Sequence, residues 1–195
     1  MFRYIACFDL DRTILSVNSA GILIRHAYGQ RLIGIMDHMA QWLKGIPEDR
    51  VKKLSLELVN DHLLQTIRSE IFPELKYHKD RDAGLVILSS SMFSICAPIA
   101  GHLGIDDIIS SVFEVHHGLY TGRTTGHFCF GEEKLSRLKE FCTKNNHHMD
   151  DAWYYADSIW DYAVLNAVGH PVCINPDKNL RKAAIDKGWA VHDWR

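Results

Sequence analysis

No CxxC spacing, no surplus of positive charge and no long apolar run occur in this chain, and each absence removes a class of function. The five cysteines Cys7, Cys96, Cys129, Cys142 and Cys173 are odd in number and scattered, which indicates neither a disulfide framework nor a zinc knuckle. A reducing cytoplasm is the compartment expected. Lys and Arg total 22 against 24 Asp and Glu, a formal charge of -2, so no broad positive field awaits a nucleic-acid backbone. The apolar run Tyr4 to Phe8 is broken by Asp9 and Asp11, too early for a signal peptide or a membrane span. Neither nucleic acid nor membrane is therefore expected as a partner, and the oligomeric state is left open. There is no internal repeat and no low-complexity tail. What is present is the composition of a globular protein: 195 residues, 47% hydrophobic and 24% charged, enough to bury one full core.

The hydrophobic pattern changes period along the chain. Arg3 to Leu10 is a continuous apolar run ending at acidic residues, as in a parallel strand buried on both faces. Similar runs recur at Gly84 to Ser89, Ser110 to Val115, Ala152 to Ala156 and His170 to Asn175. Helical spacing fills Asn18 to about Arg68, with a boundary at Gly45 and Pro47, and returns at Phe93 to Leu103, Glu132 to Lys144, Trp160 to Val168 and Lys178 to Lys187. Strand alternating with helix predicts an α/β fold with a doubly wound, mostly parallel sheet. The polar segment Gly118 to Gly126 predicts a short hairpin beside it. Ligands of such sheets sit beyond the C-terminal strand ends, which here deliver Asp9, Asp11, Ser89 to Ser91, Asp157 and Asp161. The pairs His116-His117 and His147-His148 lack metal-ligand spacing, and adjacent residues are expected to point apart.

Four motifs stand in order along these strand ends: Asp9-Leu10-Asp11-Arg12-Thr13, Ser89, Lys134 within Phe130 to Lys134, and Asp157-Ser158-Ile159-Trp160-Asp161. Together they resemble the haloacid dehalogenase superfamily of phosphatases, in the branch that includes phosphoserine phosphatase. The resemblance implies a Rossmann-like core from 1–15 and 73–195, with a helical cap inserted at 16–72. It also implies Mg2+ held by the carboxylates of Asp9 and Asp157 and the backbone carbonyl of Asp11, with Asp161 orienting water around the metal. Asp9 would be the nucleophile, and Asp11 the acid toward the leaving group and the base toward water. Ser89, Ser90 and Thr13 would serve the phosphate and its loop, and Lys134 would supply fixed positive charge. A lysine on an amphipathic helix ordinarily faces solvent, and Lys139 is the neighbouring alternative.

The function implied is hydrolysis of a small phosphorylated metabolite through a phospho-aspartate on Asp9. Phosphotransfer with the same residues and a non-catalytic phospholigand-binding module are the alternatives. In the cap, Arg25, Arg31, Trp42 and Lys44 are candidate substrate-facing residues. Asn18 stands where phosphoserine phosphatases carry a Glu that grips the substrate amine, which argues against phosphoserine. Arg12 replaces a smaller residue and Ala156 a glycine, and neither change removes a reacting group.

Overall fold

A strand buried on both faces must carry apolar side chains at every position, and the chain begins with one: β1 (Tyr4–Phe8), Tyr-Ile-Ala-Cys-Phe. The computed structural model describes residues 2–19, 22–23 and 40–195. After β1 come α1 (Glu48–Leu58), α2 (Ile71–Lys79), β2 (Ala83–Met92), α3 (Phe93–Leu103), β3 (Asp107–Ser111), β4 (Phe113–His116) and β5 (Leu119–Thr124). There follow α4 (Glu132–Lys144), β6 (Trp153–Ala156), α5 (Tyr162–Leu165), β7 (His170–Ile174), α6 (Lys178–Lys187) and β8 (Ala190–His192). The main sheet has six strands in the order β3-β2-β1-β6-β7-β8, all parallel.

Alternation along β1 divides the core in two. Ala6 and Phe8 face a cluster containing Ile71 and Leu75 of α2, Ile95 and Ile99 of α3, and Val51 and Leu58 of α1. Ile5 and Cys7 face the other, with Leu138 and Cys142 of α4, Val164 of α5, and Leu180 and Ala184 of α6. The sheet is thus doubly wound. Phe8 is fully buried and stacks on Tyr155 at 4.5 Å, so truncating it to Ala should cost about 3–5 kcal/mol. The strand order reverses on either side of β1, which opens the ligand crevice at its C-terminal end.

The insertion leaves and returns through one neck. Leu15 bridges antiparallel to Ile67, the Ser16 N–H donates to the Thr66 carbonyl at 2.8 Å, and the Arg68 N–H donates to the Ile14 carbonyl at 2.9 Å. Beyond the neck, α1 starts directly after Pro47 and carries Glu48 and Asp49 in its first turn, where the helix dipole favours acids.

Several elements differ from the sequence reading. The run Ser110 to Val115 is not one strand: β3 ends at Ser111, exposed Val112 turns the chain out of the sheet, and β4 pairs with β5 in a separate hairpin. An apolar run does not say which sheet its halves join. The helix read at Trp160 to Val168 shrinks to α5, preceded by a tight turn at Ile159–Asp161. Beyond it Gly169 passes so close to the Asp150 carbonyl that a Cβ would lie 1.6 Å from its oxygen. His116 and His117 do not point apart; a φ of 50° at His117 brings their rings within 4.0 Å. The boundary read at 72/73 falls inside α2, and the three-residue β8 was not anticipated. All five cysteines are free and buried. Among the described residues, no helix is long and apolar enough to cross a membrane.

Candidate active site

The chain turns sharply as it leaves β1. The Ile14 and Leu15 N–H groups donate back to the carbonyls of Asp9 (3.4 Å) and Leu10 (2.9 Å), closing a wide turn anchored by fully buried Leu10, Ile14 and Leu15. Within it Asp11 is extended (φ -73°, ψ 129°) and Arg12 takes a left-handed φ of 62°. In a straight strand, residues two apart share a face; this turn instead sends the two acids to different partners.

Asp9 points into a buried ionic cluster. The Lys134 ammonium donates to Asp9 Oδ1 and to Asp161 Oδ1, each at 2.7 Å, and to the Tyr154 hydroxyl at 3.2 Å. The Tyr154 hydroxyl in turn donates to Asp161 Oδ1 at 2.8 Å. Lys134 lies on the buried stripe of α4 with Leu138 and Cys142, at i, i+4 and i+8, and α4 begins after Gly131, whose φ of 56° and ψ of -126° favour glycine. Carboxylate oxygens of Asp9, Asp157 and Asp161 all lie within 4.8 Å of one another. Thr13 Oγ1 reaches Asp157 Oδ1 at 3.5 Å. The loop carrying Asp157 and Asp161 is held by Asp177, which accepts from the Ile159 N–H at 2.7 Å while capping α6.

Three buried carboxylates around one ammonium leave negative charge in excess. Burial pushes the Asp9 carboxyl well above its ordinary range, Lys134 opposes this, and Asp161 and Asp157 add to the rise. Asp157 is pushed up to about 6 by burial and by Asp161, against the pull of Arg12 and Lys134. Burial works against the Lys134 charge, yet Asp161 and Asp9 outweigh it and the ammonium holds its proton above the usual lysine range. A hard divalent cation fits this donor set, because buried oxygen ligands with uncompensated charge are what such an ion requires.

Asp11 faces the other way. Its Oδ1 accepts from the Ser19 N–H at 2.7 Å and its Oδ2 from the Ser91 hydroxyl at 2.9 Å. The Ser19 and Ser91 hydroxyls lie 2.9 Å apart, and the Ser91 N–H donates to Ser89 Oγ at 3.1 Å.

The structure therefore brings Asp9, Asp157, Asp161, Lys134 and Thr13 together and sets the Asp11 side chain against the serines. Ser89 is buried within β2, three residues before the strand ends at Met92, Ser90 is half-buried, and Lys139 is exposed. Trp42 packs against the hydrophobic core and Lys44 is exposed; Arg25 and Arg31 lie outside the described residues. Sequence reasoning missed Tyr154, Ser19 and the contact made by Ser91. Alternation in β6 would have put Tyr154 on the Lys134 side of the sheet, but nothing in the sequence pairs Ser19 with Ser91.

The haloacid dehalogenase-like hydrolase family model matches residues 6–166. A Mycobacterium tuberculosis protein described as a probable phosphatase is 29% identical over 215 residues, spanning 97% of this chain and 75% of the relative. A histidinol-phosphatase of Neisseria meningitidis is 25% identical over 227 residues, spanning 99% of this chain and 100% of the relative. Among solved structures, a phospho-aspartyl intermediate analogue of phosphoserine phosphatase shares the fold, with a TM-score of 0.72 and 16% identity over 93% of this chain and 91% of that one.

Proposed function

From a chain that belongs to the haloacid dehalogenase-like hydrolases, we propose a Mg2+-dependent phosphomonoesterase that acts on a small phosphorylated metabolite through a phospho-aspartate on Asp9. The observation that carries this reading is the buried cluster in which Lys134 binds Asp9 Oδ1, beside the carboxylates of Asp157 and Asp161. Relatives named as phosphatases support the reaction class.

Asp9, Asp157 and the Asp11 carbonyl would hold Mg2+, with Asp161 beside them; when bound, the ion offsets the negative charge that keeps a carboxylate from an anionic phosphate. Lys134 occupies one oxygen of Asp9 and leaves Oδ2 for in-line attack on phosphorus. As that bond forms, the ester P–O bond breaks, and Asp11 gives its proton to the departing alkoxide. Asp11 then takes a proton from water, whose oxygen attacks phosphorus, releasing inorganic phosphate and regenerating the Asp9 carboxylate. The Ser89 hydroxyl and neighbouring amides bind phosphoryl oxygens. The excursion beyond the Leu15–Ile67 neck would form the cap, and Asn18 at its start disfavours phosphoserine.

The test is phosphate release from a panel of phosphorylated metabolites, with Mg2+ and with chelator. Wild-type protein should turn over at least one ester only with the metal, and Asp9→Asn should lower the rate by about a thousandfold or more, because an amide is a poor nucleophile. Ordinary turnover by Asp9→Asn would remove the assigned nucleophile.

A further inference from the structure

Asp11 must give a proton to one oxygen and take it from another, and its carboxylate is gripped from two sides. Its Oδ2 accepts from Ser91, at the end of β2, and its Oδ1 from the backbone of Ser19, in the first turn of the insertion. Both serines are buried, Ser91 at 2% and Ser19 at 0% exposure, and their hydroxyls contact each other at 2.9 Å. Ser91 is itself locked through its N–H on Ser89 Oγ. None of these groups belongs to the Lys134 cluster.

We propose that Ser91 is a positioning residue for Asp11, its hydroxyl and the Ser19 amide together aiming the carboxylate that exchanges the proton with the leaving group. The inference rests on the phosphatase reading and deepens it. Aim matters because proton transfer falls off steeply once a general acid leaves hydrogen-bond reach of its target. Hydroxyls suit this role because each both donates and accepts, so the Ser19–Ser91 pair stays satisfied whether Asp11 holds the proton or has passed it on. Because the second donor sits on the insertion, the core and the insertion hold the same side chain, and the acid is aimed only while both are in place.

A positioning role for a general acid has a signature that packing lacks. An alkyl phosphate expels a basic alkoxide that needs a proton, whereas 4-nitrophenyl phosphate expels a stable phenolate that does not. The experiment compares kcat/KM for these two ester types with Mg2+ in wild type, Ser91→Ala, Ser91→Cys and Ser91→Thr. Ser91→Ala and the near-isosteric, weakly donating Ser91→Cys should lose about tenfold to a hundredfold on the alkyl ester and less than about threefold on the aryl ester. Ser91→Thr keeps the hydroxyl and should keep the wild-type alkyl-to-aryl ratio, even where both rates fall. Should the alanine variant fail to fold, as read from its melting curve, the cysteine variant carries the comparison. Equal losses on both esters, or no loss, in an active enzyme would overturn this inference alone; wild-type protein inert toward both esters and toward the whole metabolite panel would overturn the phosphatase reading and this inference with it.

Discussion

Tyr154 and Tyr155 are consecutive in β6, face opposite sides of the sheet and serve two polar networks built on opposite terms. Tyr154 joins the cluster of Asp9, Asp157, Asp161 and Lys134, where carboxylates outnumber cations. Tyr155 joins a part-buried one with a single carboxylate: its hydroxyl donates to Glu74 Oε2 at 3.0 Å and so accepts from His78 Nε2 at 2.9 Å. That leaves His78 Nδ1 to accept from the Tyr4 hydroxyl at 3.0 Å, which fixes the tautomer. Burial, helped by Arg81 and His170, lowers His78 to about 4, so it stays neutral at physiological pH. The hydroxyls and ring nitrogens of the His78 network each have a partner, and its one carboxylate sits at a half-buried edge. The Lys134 cluster has its hydrogen bonds and still lacks counter-charge, which is how a site differs from a scaffold.

The largest expected effect comes from deepening that imbalance. Lys134→Met removes the shared ammonium and should destabilise the metal-free protein by about 3–5 kcal/mol, read as a fall in the urea midpoint. Activity should go with it, and Mg2+ should recover more stability in the variant than in wild type. An unchanged midpoint would mean that the cluster is not short of positive charge.

His78→Leu attacks the other network. Leaving the Tyr4 hydroxyl unpaired should cost about 1–3 kcal/mol in urea denaturation at pH 7, with kcat and KM on the preferred ester unchanged. The pH dependence follows from the lowered value. As pH falls from 6.5 toward about 4, the unfolded chain takes up the His78 proton before the folded one does. Wild type should lose stability across that window, and His78→Leu should lose less. Identical pH slopes would show that His78 is not held neutral.

Tyr154→Phe should have the smallest effect. It keeps the ring and removes one hydroxyl between Lys134 and Asp161, for about 1 kcal/mol by thermal unfolding. A loss as large as that of Lys134→Met would make the tyrosine, not the ammonium, the organiser of the cluster.

The parallel sheet was legible because strands buried on both faces read as apolar runs, and α4 and α6 because clear turn or cap residues bound them. The split between β3 and β4 was not legible, since pairing partners are chosen in three dimensions. The acids that gather at the candidate site could be named from their places after strand ends. What could not be read was the direction each takes: Asp9 and Asp11 are two residues apart, and only the left-handed Arg12 turn decides that one meets Lys134 and the other Ser91. The Ser19–Ser91 contact joins residues 72 apart, with no periodic pattern to announce it.

The paired connectors at Leu15–Ile67 and Ser16–Thr66 work as a seam. Whatever length of polypeptide is sewn in between, the sheet meets the same two stitches, and doubling the excursion adds only about 0.6 kcal/mol of closure entropy. Descendants of this chain are thereby free to rewrite the excursion without re-threading a single strand.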